Sequence, residues 1–96
     1  MFALESVTRT TTGNVTLKYL TNLSFKETSG SATASFTLRR ETSGGGVVES
    51  RTLLANESDS IPYGENPEVA STGVFHLTVD SGAVSVTCKG QVGTGS

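Results

Sequence analysis

The chain holds one His, one Cys and no Trp, and each residue able to do chemistry stands apart from the partners that chemistry needs. A serine nucleophile requires a base within hydrogen-bond reach and a third group that orients the base. His76 is the sole candidate base, and alternation in Val74-Phe75-His76-Leu77-Thr78 puts it on the polar side; no Gly-x-Ser-x-Gly elbow accompanies it. Cys88 falls on the apolar side of Val84-Ser85-Val86-Thr87-Cys88, which predicts a buried thiol of raised pKa and low reactivity. One Cys and one His do not make a zinc site within one chain. Glu57 with Asp59, and Glu65 with Glu68, lack the spaced acidic loop of a calcium site. Gly44-Gly45-Gly46 is followed by Val47 and not by Lys-Ser/Thr, so it is no phosphate loop. The expectation is a protein that is not an enzyme and carries no cofactor or metal.

The elements that hold these residues are β-strands. Ser and Thr fill about three of every ten positions, mostly on alternate residues between aliphatic ones, the pattern of strands with hydroxylated outer faces. Ninety-six residues, 34% hydrophobic, suffice for one domain with one modest core. The net charge of −2 is made of scattered acids and bases, so there is no basic footprint for nucleic acid. No stretch approaches a membrane span, and Met1-Phe2-Ala3-Leu4-Glu5-Ser6 has neither the basic start nor the apolar run of a signal peptide. A lone Cys agrees with folding in a reducing cytosol. The expected setting is synthesis in a cytosol without Sec export, which leaves the sequons at Asn14, Asn22 and Asn56 unglycosylated.

Two hairpins are expected. With Ser81-Gly82 as a two-residue turn, Val79 pairs with Val84, Leu77 with Val86 and Phe75 with Cys88, all on one face, while His76 opposes Thr87. With Ser29-Gly30 as the turn, Phe25 pairs with Ala34, Leu23 with Phe36 and Thr21 with Leu38. The stripe Val15, Leu17, Tyr19, Thr21, Leu23, Phe25 has Leu20 as its exception, and it either bends across two sheets or breaks near Thr21-Asn22. Ser43-Gly44-Gly45-Gly46 connects two further strands, across which Arg39, Arg40 and Glu41 can face Glu49 and Arg51 as a solvated ion-pair ladder. Pro62 places its short strand at a sheet edge, and Gly64 to Thr72 reads as the longest irregular stretch. The 3.6-residue period appears nowhere over three turns, so no helix beyond a single turn is expected.

These elements add up to an all-β fold, a single antiparallel β-sandwich of Ig-like or jelly-roll-like type with about seven or eight strands. The domain spans 1–90, with a possible N-terminal arm at 1–12 and a flexible C-terminal tail at 91–96. The Thr-rich N-terminal segment is suited to adding a strand to a neighbour's sheet, which makes Leu4, Val7 and Arg9 candidate partner contacts; a charge at Val7 should abolish docking and leave the fold intact. Ile61 and Tyr63 are the other candidates, as an apolar patch beside the long loop.

The order Ala34-Ser35-Phe36-Thr37-Leu38-Arg39-Arg40, a Gly-rich turn, Val47 to Leu54, Ala55-Asn56-Glu57-Ser58-Asp59-Ser60-Ile61, and Gly73-Val74-Phe75-His76-Leu77 before a terminal hairpin resembles the small β-sandwich virion proteins of tailed bacteriophages, of the capsid decoration or cement type. The resemblance implies a structural homo-oligomer, often a trimer, that docks on the major capsid protein or other virion proteins and reinforces the head. It supplies no catalytic residues. The alternative is a tail or fibre adhesion module that binds a host glycan or protein, with the Tyr63 to Glu68 loop as its site.

Overall fold

The computed structural model describes residues 2–41, 44–64 and 66–93. They form nine strands: β1 (Phe2–Arg9), β2 (Gly13–Val15), β3 (Tyr19–Glu27), β4 (Ala34–Arg40), β5 (Val47–Leu53), β6 (Ser58–Pro62), β7 (Glu68–Val69), β8 (Phe75–Ser81) and β9 (Val84–Gly93). There is no helix among the described residues. One sheet has the order β1-β9-β3-β6, with the short β7 also on β3, and the other has the order β2-β8-β4-β5.

The pairings are nested. β4 pairs with β5, β3 with β6, β2 with β8 and β1 with β9, every one antiparallel. The chain is thus one long hairpin whose tip is the Gly-rich turn after β4. Rolled up so that β9 also meets β3 and β8 also meets β4, it becomes two packed four-stranded layers, the jelly-roll arrangement, with β7 added. The β-sandwich expected from the sequence is present, and its strand order is the jelly-roll one.

The two expected hairpins are not. β3 and β4 lie in different sheets, as do β8 and β9, so Ser29-Gly30 and Ser81-Gly82 sit in crossings between layers. β3 lies instead between β9 and β6, with Leu23 opposite Cys88 and Ile61. His76 is opposite Arg39 and Asn14 rather than Thr87. The physical reason is that a period of two fixes which side chains face inward but not whether two inward stripes lie side by side or face to face. Here they face each other: the Phe25 and Phe36 rings, one from each sheet, meet with centroids 5.1 Å apart and planes at 54°, a favourable tilted aromatic contact. Gly82 makes the second crossing possible with φ of 71°, and a Cβ there would lie 2.4 Å from the Thr33 carbonyl oxygen.

The long stripe both changes sheet and breaks. Val15 ends β2 in one layer and Tyr19 begins β3 in the other, with Leu17 fully buried between them. A bulge between Leu20 and Asn22 then shifts the register against β9, which turns Leu20, Leu23 and Phe25 all into the core. That bulge is why Leu20 breaks the alternation. The core comprises these with Val15, Ala34, Phe36, Leu38, Leu53, Ala70, Phe75, Leu77, Val84, Val86 and Cys88; each large aliphatic or aromatic member contributes about 1.5–3 kcal/mol by leaving water.

Three other expectations shift. The cross-strand ion ladder is absent from the described residues, because a bulge puts Arg39 opposite Val47 and the core residues Leu38 and Phe36 opposite Glu49 and Arg51. Glu49 and Arg51 pair along their own strand at 2.8 Å, and the Arg51 guanidinium lies 5.7 Å from the centre of the Phe25 ring. Arg40 pairs with Glu68, so the loop from Gly64 to Thr72, which contains β7, is anchored rather than wholly irregular. At the ends, all of β1 is paired with β9, and Gln91, Val92 and Gly93 of the expected tail belong to that ladder; residues 94–96 lie outside the described ones. Pro62 stands on an edge strand, as its missing N–H requires.

Candidate functional site

Strand connections gather at two ends of the sandwich, and a carboxylate clasps each. Glu27, the last residue of β3, is fully buried. Its Oε1 accepts hydrogen bonds from the backbone N–H of Gly30 and of Asn56 at 2.7 and 3.1 Å, and its Oε2 accepts from the N–H of Ser29 at 2.8 Å and from the Ser29 hydroxyl. The β3–β4 and β5–β6 loops are thereby tied together, and Thr28 N–H donates to the Ala83 carbonyl to add the β8–β9 crossing. These donors, led by the Ser29 hydroxyl, pull the Glu27 pKa from 4.5 down to about 2 against the opposing effect of burial.

At the other end Glu41 follows β4 with φ of 72°, a left-handed conformation uncommon for a non-glycine residue. It is held there by its N–H bond to the Val74 carbonyl and by a carboxylate that accepts from the Ser71 hydroxyl and the Thr72 N–H. The Ser71 contact is the main cause of its lowered pKa. The chemistry of both carboxylates is consumed by loop architecture. Sequence reasoning missed Glu27; the usable signal was an acid ending a strand two residues before Ser29-Gly30, where its carboxylate can accept from turn N–H groups.

His76 sits on the outer face of the second sheet, and its Nδ1–H donates to the Asn14 side-chain oxygen at 3.0 Å. Cys88 is buried with burial pushing its thiol up to about 12. Ellman's reagent should therefore leave the native protein unlabelled over minutes and titrate one thiol per chain after denaturation; prompt labelling of the native form would contradict the burial. Among the described residues there is no group of three or more potential metal ligands and no helix long and apolar enough to cross a membrane.

The candidate contact residues are dispersed. Val7 is partly buried and packs on the core opposite Cys88, so a charge there would enter the inner face of the sheet and would not report on docking alone. The Arg9 guanidinium spans the β1–β2 loop, donating to the carbonyls of Thr11, Thr12 and Asn14. The Leu4 backbone pairs with Gln91. Ile61 and Tyr63 also pack on the core; the Tyr63 hydroxyl is buried without a partner among the described residues, and burial, then Glu49 and Glu68, raise its pKa to about 12.

The outer face of the first sheet is the coherent feature. Register places Thr8, Thr87, Ser24 and Ser60 in one row across β1, β9, β3 and β6, and the first two hydroxyls bond at 2.8 Å. Beside it runs a row with Ser85, Lys26 and Ser58. All of these but Thr8 line a shallow, open depression of about 450 Å³ together with Phe25 and Asp59. Short hydroxylated side chains on a paired sheet lose little rotamer freedom when a partner settles on them, so the face can take a polar surface through many small hydrogen bonds. No family model matches the chain, and neither a curated protein nor a solved structure matches it.

Proposed function

We propose that this chain is a non-enzymatic structural protein of a phage particle, a capsid decoration protein that docks across shell subunits and stiffens the head. The observation that carries the reading is the hydroxyl row spanning all four main strands of one sheet: it offers area and hydrogen bonds, not an enclosed pocket with converging catalytic groups. The jelly roll is frequent among virion proteins, which supports the reading by analogy of fold only. The outer hydroxyls, rather than Ile61 and Tyr63, are the surface this function would use.

Particles stripped of this chain should lose resistance to heat and regain it when the purified protein is added back. Ser24→Lys, at the centre of the row, should raise the concentration needed for rescue about tenfold or more while leaving the melting temperature of the free protein unchanged. Rescue at an unaltered concentration would remove this face from the function.

A second reading, an adhesion module for a host glycan, is favoured by one observation: the depression places the hydroxyls of Ser24, Ser58, Ser60, Ser85 and Thr87 beside Lys26 and Asp59, a lining able to hydrogen-bond a polyhydroxylated ligand. This moves the glycan site away from the Tyr63 to Glu68 loop, where Tyr63 packs inward. Glycan arrays discriminate the two readings.

A further inference from the structure

The four lateral edges of the sandwich differ in how they are protected. β6 is five residues long and ends in Pro62, which has no N–H to offer. β5 carries Glu49 and Arg51 opposite the core residues Leu38 and Phe36, and because these two already pair with each other at 2.8 Å, a strand added there would meet inward charges that have nothing left to offer it. β2 is three residues long. β1 is unlike them: eight residues with an unbroken register against β9, no proline and no bulge.

Along β1 the inner side carries Glu5, Val7 and Arg9, because Val7 is opposite the buried Cys88 and alternation does the rest. Glu5 and Arg9 are four residues apart, about 13 Å along a strand, so they cannot pair with each other. Among the described residues neither has an ion-pair partner. An acid and a base without ion-pair partners, at equal distances on either side of a valine, form a self-complementary sequence, in which the Arg9 guanidinium turns from the carbonyls of Thr11, Thr12 and Asn14 to meet a carboxylate.

We propose that β1 pairs antiparallel with β1 of a second copy about a twofold axis at Val7, joining the two first sheets into one. In this register Glu5 faces Arg9 of the other copy twice, Ser6 faces Thr8 twice, and Val7 faces Val7. Registers one residue away turn every inward side chain outward. Centring on Glu5 sets acid against acid, and centring on Ser6 leaves both charges opposite apolar residues. Charge therefore selects the Val7 register, in which opposite-charge pairs across strands stabilise and like charges destabilise. Since β5 and β6 are blocked, the β1 edge has only itself to meet. The contact is isologous and closes as a dimer, in place of the threefold assembly that the resemblance implies, and it does not depend on the virion reading.

The test is sedimentation equilibrium of the full chain with three variants. Wild type should have twice the 9.9 kDa chain mass, and Glu5→Lys, an exposed change, should return it to the single-chain mass with an unchanged circular dichroism spectrum. Mixing Ser6→Cys with Thr8→Cys should give a disulfide-linked dimer under mild oxidation, while either variant alone should not, because only that mixed pair is directly opposed. A wild type that is monomeric at 100 µM overturns the proposal, as does a trimer, a dimer indifferent to Glu5→Lys, or failure of the mixed pair to cross-link.

Discussion

Replacing Glu27 by Gln will lower the Tm at neutral pH by about 10 °C or more. Both carboxylate oxygens are in use, Oε1 by two N–H donors and Oε2 by an N–H and a hydroxyl. Whichever way the new amide turns, its NH₂ group confronts donors, leaving buried N–H groups unsatisfied. The effect depends on pH with a definite sign. Glu27 titrates at about 2 in the folded protein against 4.5 as its ordinary value. Above pH 4.5 the group is ionised in both states, and its full contribution to stability is present. As pH falls below that, the unfolded chain takes up the proton first, and the contribution drains away until it is gone near pH 2. Melting curves between pH 2 and 7 should therefore show wild type and Glu27→Gln far apart at pH 7 and converging toward pH 2. A constant gap would show that the charge is not what the loops hold.

Gly90→Ala will destabilise the fold by about 3 kcal/mol, a large share of the stability of a domain this size. Gly90 lies opposite Glu5 on one side and Leu20 on the other, at the start of the β3 bulge. A Cβ built there would lie 1.8 Å from the Tyr19 carbonyl oxygen and 3.1 Å from the Leu20 Cα. Both neighbours are backbone, so no side-chain rotation relieves the clash; the bulge or the ladder must move. Gly73→Ala is the control: φ is 81°, yet nothing lies within 4 Å of the added carbon, so only the backbone conformation resists, at about 1 kcal/mol. Urea denaturation of both variants separates the two causes. Equal losses would mean that close backbone approach at Gly90 is unimportant.

Gly90 also marks where sequence reading stopped. It stands in a Gly-rich polar run, Gly90 to Ser96, whose composition reads as a loose tail, and nothing local reveals that β1 pairs with its first four residues and β3 with Gly90 and Gln91 from the other side. Inward and outward faces were legible almost throughout: Phe36, Leu38, Phe75, Leu77, Val84, Val86 and Cys88 are all buried as their alternation requires. Pairing was not legible, because Leu23 beside Phe36 in one sheet and Phe25 against Phe36 across two sheets demand the same alternation. The nested topology depends on contacts between residues as far apart in the chain as Phe2 and Gly93, and short turn motifs carry no trace of those. Of the surfaces, the hydroxyl pattern was visible as composition, but its gathering into a row with Thr8, Thr87, Ser24 and Ser60 needs the registers of three strand pairs. Glu27 was hidden for a similar reason, since its partner Asn56 lies on another loop.

The proposed role in a virion is tested most directly by counting. Particles purified from the source on a density gradient, with this chain quantified by mass spectrometry against the major shell protein, should contain it at a copy number approaching that of the shell protein. A few copies per particle would move it to the neck or tail and favour the adhesion reading, and its complete absence would contradict a structural role in the particle.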